Sequence, residues 1–569
     1  MEVKSLCYED EDADMIDNVH QEKYHEYIAK LVEACRWEEC FDIVKEGLKK
    51  DCRDYELYFA LGEYYYNHNH NAEQAYLCYE NALFYCHEEA DREYIINVMD
   101  ELRNSGIKVN PVSIVIVSYN SADVMKACIN SIRVNNMPDT YELIVVDNAS
   151  NDEVREWLEQ QKDIRLIENN DNMGFGYASN QGIKASNPDD DIFLLNNDTF
   201  VTANAIFWLR MGLYGSNKTG AVSSLSNADI ERKYNKHYSS LTEFIQVGEK
   251  NNIPELNPHE KRVWLSGYAL MIKRKVIDEI GLLDLRYGMG YYEDDDIGVR
   301  IQYAGYQCIL CNNSFIFHWE SLSFNKNIDN KVKLMRQNRQ VFKEKWGFDI
   351  NYYSYARYEI IKLIEDEKDK PIKVLEIGCG CGATLFSIEY QWPNSEVKGI
   401  ELIENVVRIG ANNCDIIQGD IETMNIPYEK GFFDYVILGD VLEHLYSPDK
   451  VLEKIRPYMK KDASLIVSVP NIMNKSVIMS LLKGEFHYED AGILDRTHIK
   501  FFTIKTIIEL LEKCGFKTDF VGMVSNAQVG VNISNEEEKE FQNAVNCISG
   551  AAHYQQFEAY QYILRATNI

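Results

Sequence analysis

Ser113-Ile114-Val115-Ile116-Val117-Ser118-Tyr119-Asn120 and, further on, Glu142-Leu143-Ile144-Val145-Val146-Asp147-Asn148-Ala149-Ser150 are the stretches on which the fold turns. In each, a short apolar run breaks off into polar residues. The periodicity of Val124–Val134 predicts a helix between the two, and a second helix follows the second run. Strand, polar loop, helix, repeated, is the pattern of a parallel α/β sheet. Ligands gather at the carboxyl ends of the strands in such sheets, which is where Ser118, Tyr119, Asn120 and Asp147 stand.

Reading downstream, Asn172-Met173-Gly174-Phe175-Gly176 is a glycine-bearing entry to a helix, and Ile192-Phe193-Leu194-Leu195 is another strand-like run, ending in Asn196-Asn197-Asp198-Thr199. Asp198 fits two roles there: a turn residue, or a hard oxygen ligand for a divalent ion on a pyrophosphate. Tyr291-Tyr292-Glu293-Asp294-Asp295-Asp296 then crowds four carboxylates between aromatic residues and the apolar Ile297, Val299 and Ile301. Crowded carboxylates raise one another's pKa, and a partly buried cluster has a cation or a proton to manage. His318, ending the run Ser314-Phe315-Ile316-Phe317, offers an imidazole to the same ion.

Upstream, Tyr24 to about Arg103 is helical in pattern and free of proline. Cys40, Val44, Gly47 and Leu48 recur in order as Ala75, Tyr79, Ala82 and Leu83, and the second copy adds Tyr58, Leu61, Gly62 and Tyr65. This resembles the tetratricopeptide pattern. Two such repeats are marginal alone, so they are expected to dock a third helix (Arg92–Arg103) or the next domain. Their role reads equally as gripping a partner or acceptor and as packing or dimerisation.

Past a helix expected over Lys331–Trp346, a tyrosine-rich bridge (Asn351–Tyr358) and a helix expected over Tyr358–Glu367, a second α/β unit opens. Its first strand, Ile372-Lys373-Val374-Leu375-Glu376-Ile377, runs into Gly378-Cys379-Gly380-Cys381-Gly382, where glycines let the backbone approach a ligand. Later strands end at Glu401, suited to ribose hydroxyls, at Asp420, in reach of an adenine amine, and at Gly439-Asp440-Val441-Leu442-Glu443-His444. Asp440, Glu443 and His444 are read on one helical face, with a spacing that resembles the metal-binding Glu-x-x-Glu-His of some quinone-type methyltransferases; the alternative is that Asp440 caps the helix and the others are structural or substrate-facing. His498 precedes a later helix and reads as a general base or as a histidine that fixes its loop.

The composition bounds the rest. The chain has 569 residues, 46% of them hydrophobic, enough for about three or four compact cores. A formal net charge of −31 argues against nucleic-acid or anionic-membrane binding. No apolar run approaches the ~20 residues of a membrane span, and residues 1–20 read as an acidic tail without the features of a signal peptide. Fourteen scattered cysteines, Cys308 and Cys311 included, read as reduced thiols of a cytoplasmic protein. The expected organisation is multidomain: tail 1–20, α-helical repeats 21–108, one α/β domain over 109–349, and a second, with its linker, over 350–569.

Residues about 110–349 resemble an inverting family-2 glycosyltransferase with the type A nucleotide-diphospho-sugar transferase fold, nearest the rhamnosyltransferase-like branch. The pieces appear in that family's order: Ile116–Asn120, Val145–Ser150, Asn172-x-Gly174, Leu195–Asp198, Ser266-Gly267-Tyr268, Glu293–Arg300 and His318. The resemblance implies that Asp294 is the base, that Asp198 and His318 bind Mn²⁺ or Mg²⁺, and that Asp296 orients the acceptor or pairs with Arg300. Ser118, Tyr119, Asn120, Asp147, Asn172, Gly174, Asn197 and Gly267 would meet the nucleotide-sugar. Asn196-Asn197-Asp198 departs from the longer acidic motif often found there. Residues about 371–530 are similar to class I S-adenosylmethionine methyltransferases with a Rossmann-like fold, which implies binding of that sulfonium by Glu376, Gly378, Gly380, Gly382, Glu401, Asp420 and Asp440. The combined expectation is a bifunctional enzyme that adds a sugar to a glycan or glycoprotein and O-methylates the product. The rivals are a methyltransferase carrying a degenerate sugar-nucleotide domain, and a scaffold whose repeats recruit partners.

Overall fold

The computed structural model describes residues 14–319, 328–526, 534–548 and 555–569, and divides into two compact units, Met1–Val341 and Phe342–Ile569. The helical module and the first α/β domain therefore form one unit, and the division falls inside the helix Ile328–Trp346 rather than at 349.

The first unit opens with α1 (Asp14–Glu33), α2 (Trp37–Leu48), α3 (Tyr55–Asn67), α4 (Ala72–Tyr85) and α5 (Glu89–Asn104). Helix α1 starts inside the stretch expected as an acidic tail; residues 1–13 of that stretch lie outside the described residues. Asp54 and Asn71 cap α3 and α4, accepting from the first-turn amides of Leu57 and Gln74. A side chain at Gly62 would collide with the Tyr79 ring, so α3 and α4 meet at glycine distance.

The strands that follow are β1 (Val112–Ser118), β2 (Tyr141–Asp147), β3 (Ile164–Glu168), β4 (Asp191–Asn196), β5 (Thr199–Val201), β6 (Thr219–Leu225), β7 (His259–Arg262), β8 (Ala269–Ile272) and β9 (Gln307–His318). Their order is β3-β2-β1-β4-β8-β6-β9-β5, with β7 beside β9. Strands β3, β2, β1 and β4 are parallel, with Ser118 level with Asp147 and Val117 level with Asn196. The chain moves outward from β1 to β3 and then crosses to β4, so the point where strand order reverses lies beside β1. The expected helix over Val124–Val134 is α6 (Ala122–Asn135); α7 (Val154–Glu159) and α8 (Phe175–Ala185) follow.

Helix α9 (Ala205–Leu213) has no polar face, because it is covered on both sides. Phe207, Trp208 and Met211 enter the core of the helical module, while Leu209 and Leu213 enter that of the sheet. Each such side chain contributes roughly 1.5–3 kcal/mol by leaving water. Gln74 donates to the Met211 carbonyl at 2.8 Å, Asn204 donates to the Cys52 carbonyl at 2.7 Å, and the buried Arg210 pairs with Glu80. The module thus docks both its third helix and the next domain.

The second unit contains β10 (Lys373–Ile377), β11 (Glu396–Glu401), β12 (Asp415–Gln418), β13 (Phe433–Gly439), β14 (Met459–Pro470), β15 (Phe516–Ser525) and β16 (Ala559–Asn568). The order is β12-β11-β10-β13-β14-β16-β15, parallel from β12 to β14 with β16 antiparallel. Its reversal point lies between β10 and β13. The helix expected over Tyr358–Glu367 is one turn only, Tyr358–Ile361, because Ile360, Ile361, Leu363 and Ile364 are all drawn into the core beneath β10. Every cysteine among the described residues is a free thiol, and Cys308 and Cys311 are buried on β9. No helix among the described residues is long and apolar enough to cross a membrane.

Candidate functional sites

In the first unit, the four carboxylates form the first turn of the helix Glu293–Tyr303, where the helix dipole favours negative charge. Tyr291 and Tyr292 both lie at positive φ, which turns the chain sharply into that helix. Asn338, buried on the helix Ile328–Trp346, pins the turn by donating to the carbonyls of Tyr287, Gly290 and Tyr291 at 2.8–3.0 Å. Asp294 accepts from the Gly267 amide at 3.0 Å and the Asp295 amide at 3.1 Å. A Cβ on residue 267 would stand 3.3 Å from that of Asp294, so glycine sets this approach.

Burial raises the Asp294 carboxyl above its usual range, against the two amides that favour the charged form. Glu293 is pushed up to about 8 by burial and then by Asp294, and Asp295 well above its usual range by burial and then by both neighbours. Burial is the leading cause at all three carboxyls, and their mutual repulsion acts in the same direction. Asp296 pairs with Arg300 at 3.0 Å and accepts from Tyr287 at 3.2 Å, which settles it in the ion-pair role.

Antiparallel pairing of β5 with β9 sets Thr199 level with His318 and brings His318 Nε2 to 3.1 Å from Asp198 Oδ1. The Tyr268 ring stacks on His318, with centroids 5.1 Å apart. Consecutive residues therefore reach both halves of the site: Gly267 holds Asp294, and Tyr268 holds His318. At the nearby strand ends, the Ser118 hydroxyl, Asp147 Oδ1 and Asn197 Nδ2 are buried without a hydrogen-bond partner among the described residues. Buried polar atoms are seldom left so, and these are suited to a polar ligand.

The other expected donor contacts divide. Asn120 accepts from the Asn151 amide and Asn172 accepts from the Gly174 amide and from Asn148, so both side chains shape loops. Gly174, at positive φ, faces the Gly288 carbonyl with no room for a side chain, and Tyr119 is exposed.

In the second unit, Gly378, Gly380 and Gly382 all lie at positive φ, and a side chain at Gly380 would meet the Tyr353 carbonyl. Glu376 is buried, with Oε2 unpartnered, and burial pushes it up to about 8. Glu401 uses its carboxylate to accept from the amides of Gly380, Leu402 and Ile403 at 2.8–3.0 Å. Asp420 is exposed and caps its own turn through the Glu422 amide.

Asp440 takes neither the helix-cap role nor a place on a helical face with Glu443 and His444. The chain after β13 is a single 3-10 turn, Leu442–His444, which Asp440 does not cap, so no helical face gathers Asp440, Glu443 and His444. Asp440 instead pairs with Arg357 at 2.9 Å and accepts from Ser468 and Gln561. His498 Nδ1 meets the Ile493 carbonyl at 2.9 Å, fixing its loop, and its ring lies 4.8 Å from that of His444. Arg357 and Asn338 escaped the sequence reading because nothing local distinguishes one arginine in a bridge or one asparagine in a helix.

The Glycosyl transferase family 2 model matches residues 113–281, and a Methyltransferase domain model matches residues 350–519. The hexosyltransferase Agl10 of low-salt glycan biosynthesis in Haloferax volcanii is 27% identical over 34% of this chain and 62% of its own length. An uncharacterized glycosyltransferase of Bacillus subtilis, YfnE, is 25% identical over 38% of this chain and 67% of its own. A malonyl-[acyl-carrier protein] O-methyltransferase of Geobacter sulfurreducens is 21% identical over 30% of this chain and 66% of its own length, and an N-methyltransferase of Papaver somniferum is covered over only 39% of its length. A solved SAM-dependent methyltransferase from Archaeoglobus fulgidus is 17% identical over 40% of this chain and 98% of its own, with a TM-score of 0.28. Along the chain, a domain matching the Glycosyl transferase family 2 model is thus followed by one matching a Methyltransferase domain model.

Proposed function

We propose that the first unit transfers a sugar from a nucleotide-diphospho-sugar to a hydroxyl of a glycan or glycoprotein, inverting the anomeric centre, and that the second O-methylates that sugar or glycan with S-adenosylmethionine. The observation that carries the first half is the Gly267-Tyr268 dipeptide, which ties the Asp294 carboxylate to the Asp198–His318 pair. In-line displacement at an anomeric carbon needs one base on the acceptor side and charge neutralisation on the leaving diphosphate. Asp294, lifted by burial, suits the base. Asp198 and His318 offer one oxygen and one nitrogen donor to Mn²⁺ or Mg²⁺, which would supply that neutralisation. Ser118, Asp147 and Asn197 have unused hydrogen-bonding capacity for the donor.

In the second unit, the glycine cradle and the unpartnered Glu376 oxygen fit S-adenosylmethionine, which would supply an electrophilic methyl group. Glu376 and the backbone of the glycine turn would hold it, and Glu401 would fix the turn while keeping lone pairs for ribose hydroxyls. Linking both units raises the local concentration of the glycosylated intermediate at the second site. The helices α1–α5 would then present the acceptor, in a cytoplasmic setting of surface-glycan or glycoprotein assembly. The test is a thermal-shift screen of nucleotide-sugars with Mn²⁺, then mass spectrometry of the product formed with isotopically labelled methyl donor. The reading expects one donor to stabilise the chain and the product to gain a hexose-type mass plus a labelled methyl. A chain stabilised by no nucleotide-sugar would end the first half of it.

A further inference from the structure

Glu443 is buried in the second unit, 1% exposed, and neither carboxylate oxygen has a hydrogen-bond partner among the described residues. Burial, and then the Asp440 charge, hold its carboxyl well above the usual range. A buried carboxylate without a donor is costly to keep charged unless a proton or a cation joins it. The backbone is drawn tight around it: the Glu443 carbonyl accepts from the amides of Ile499 at 2.9 Å and Lys500 at 3.0 Å, which brings the loop carrying His498 onto the turn carrying His444.

The result is a three-residue cluster. One ligand atom each from Glu443, His444 and His498 lies within 4.8 Å of the other two. Both rings are oriented by backbone carbonyls. His444 Nδ1 is 3.3 Å from the Thr497 carbonyl and His498 Nδ1 is 2.9 Å from the Ile493 carbonyl. A carbonyl only accepts, so each Nδ1 carries the proton and each Nε2 is left as an electron-pair donor. Asp440 is not a member, because its oxygens are taken by Arg357, Ser468 and Gln561. His444 is partly exposed, which leaves one side of the cluster accessible.

We propose that Glu443, His444 and His498 bind a divalent transition-metal cation. Two imidazoles and one carboxylate suit Zn²⁺, Co²⁺, Fe²⁺ or Mn²⁺ over Ca²⁺ or Mg²⁺, which prefer all-oxygen shells. Three protein ligands leave coordination positions for an oxygen ligand on the His444 side. The site stands at the carboxyl edge of β13, the edge that also carries the glycine turn after β10. It is separate from the Asp198–His318 pair, which lies in the other unit.

The test uses the full-length chain with Asp198→Asn and His318→Ala, which removes the other candidate metal pair. After chelator treatment, Co²⁺ is titrated while visible absorption and bound cobalt are followed. The expected result is one equivalent of Co²⁺ with ligand-field bands, and at least about tenfold weaker binding in Glu443→Gln and in His498→Ala. Because those two positions are buried, His444→Ala, at the partly exposed position, is measured beside them, with S-adenosylmethionine binding as the check on folding. No cobalt uptake, or uptake unchanged by His444→Ala in a folded chain, overturns the site. Labelled-methyl transfer is scored separately, so loss of the metal site leaves the methyl-transfer reading standing.

Discussion

At the scale of single residues, the proposed sugar-transfer site depends on a glycine next to an acid. Gly267→Ala would put a methyl 3.3 Å from the Asp294 Cβ and shift the carboxylate by a few tenths of an ångström. Misplacement of that order is expected to lower sugar transfer on the order of tenfold with donor binding kept, read as kcat against KM. Unchanged kcat would show that the contact does not position Asp294. Glu293 makes a pH prediction. Its folded value of about 8 lies above the ordinary 4.5, so the folded chain keeps a proton that the unfolded chain releases between those values. Its contribution is fully present below about pH 4.5, declines as pH rises to about 8, and is flat above. Glu293→Gln should remove that decline, which unfolding of the first unit followed at several pH values will show. Much at this scale was legible in sequence: polar residues ending strands marked Ser118, Asp147 and Asp198 without an alignment. What sequence withheld was direction. Asn120 and Asn172 each engage their side-chain oxygen in the loops, and Asp440 pairs with Arg357, many residues earlier in the chain.

At the scale of elements, α9 is the hinge of the argument, because it belongs to two cores at once. A helix apolar but for one arginine reads in sequence simply as buried; which two faces cover it is a tertiary fact that periodicity does not carry. The buried Arg210–Glu80 pair gives a measurable handle on that docking. Glu80→Ala strands a buried guanidinium and should destabilise the first unit by about 3 kcal/mol, whereas Glu80→Leu with Arg210→Met should be nearly neutral. Denaturant midpoints of both, compared with unaltered protein, decide it; equal losses in the two would mean the pair does not hold the helical module. Helix bounds show the same lesson. Tyr358–Glu367 has the composition of a helix, yet only its first turn is helical, since the core beneath β10 takes both Leu363 and Ile364.

At the scale of the whole molecule, two sheets share the same opening order, each reversing beside its first strand, and one proposed chemistry is assigned to each. The account requires those chemistries to be separable. Glu376→Ala should abolish labelled-methyl incorporation and leave sugar transfer within about twofold, the size of a change that touches nothing in the first unit. Joint loss of both would point to a dependence that neither site explains. The two-domain order was readable from motif order alone, and docking of the helical module on the next domain was one of two expected outcomes; the meeting of His498 with Glu443 was not readable, because it joins segments far apart in the chain. The most direct measurement of the central claim is release of nucleoside diphosphate from the stabilising donor in Mn²⁺, comparing unaltered chain with Asp294→Asn. The account predicts that the variant binds the donor and releases no diphosphate to the acceptor reaction. Near-normal release by Asp294→Asn would contradict it.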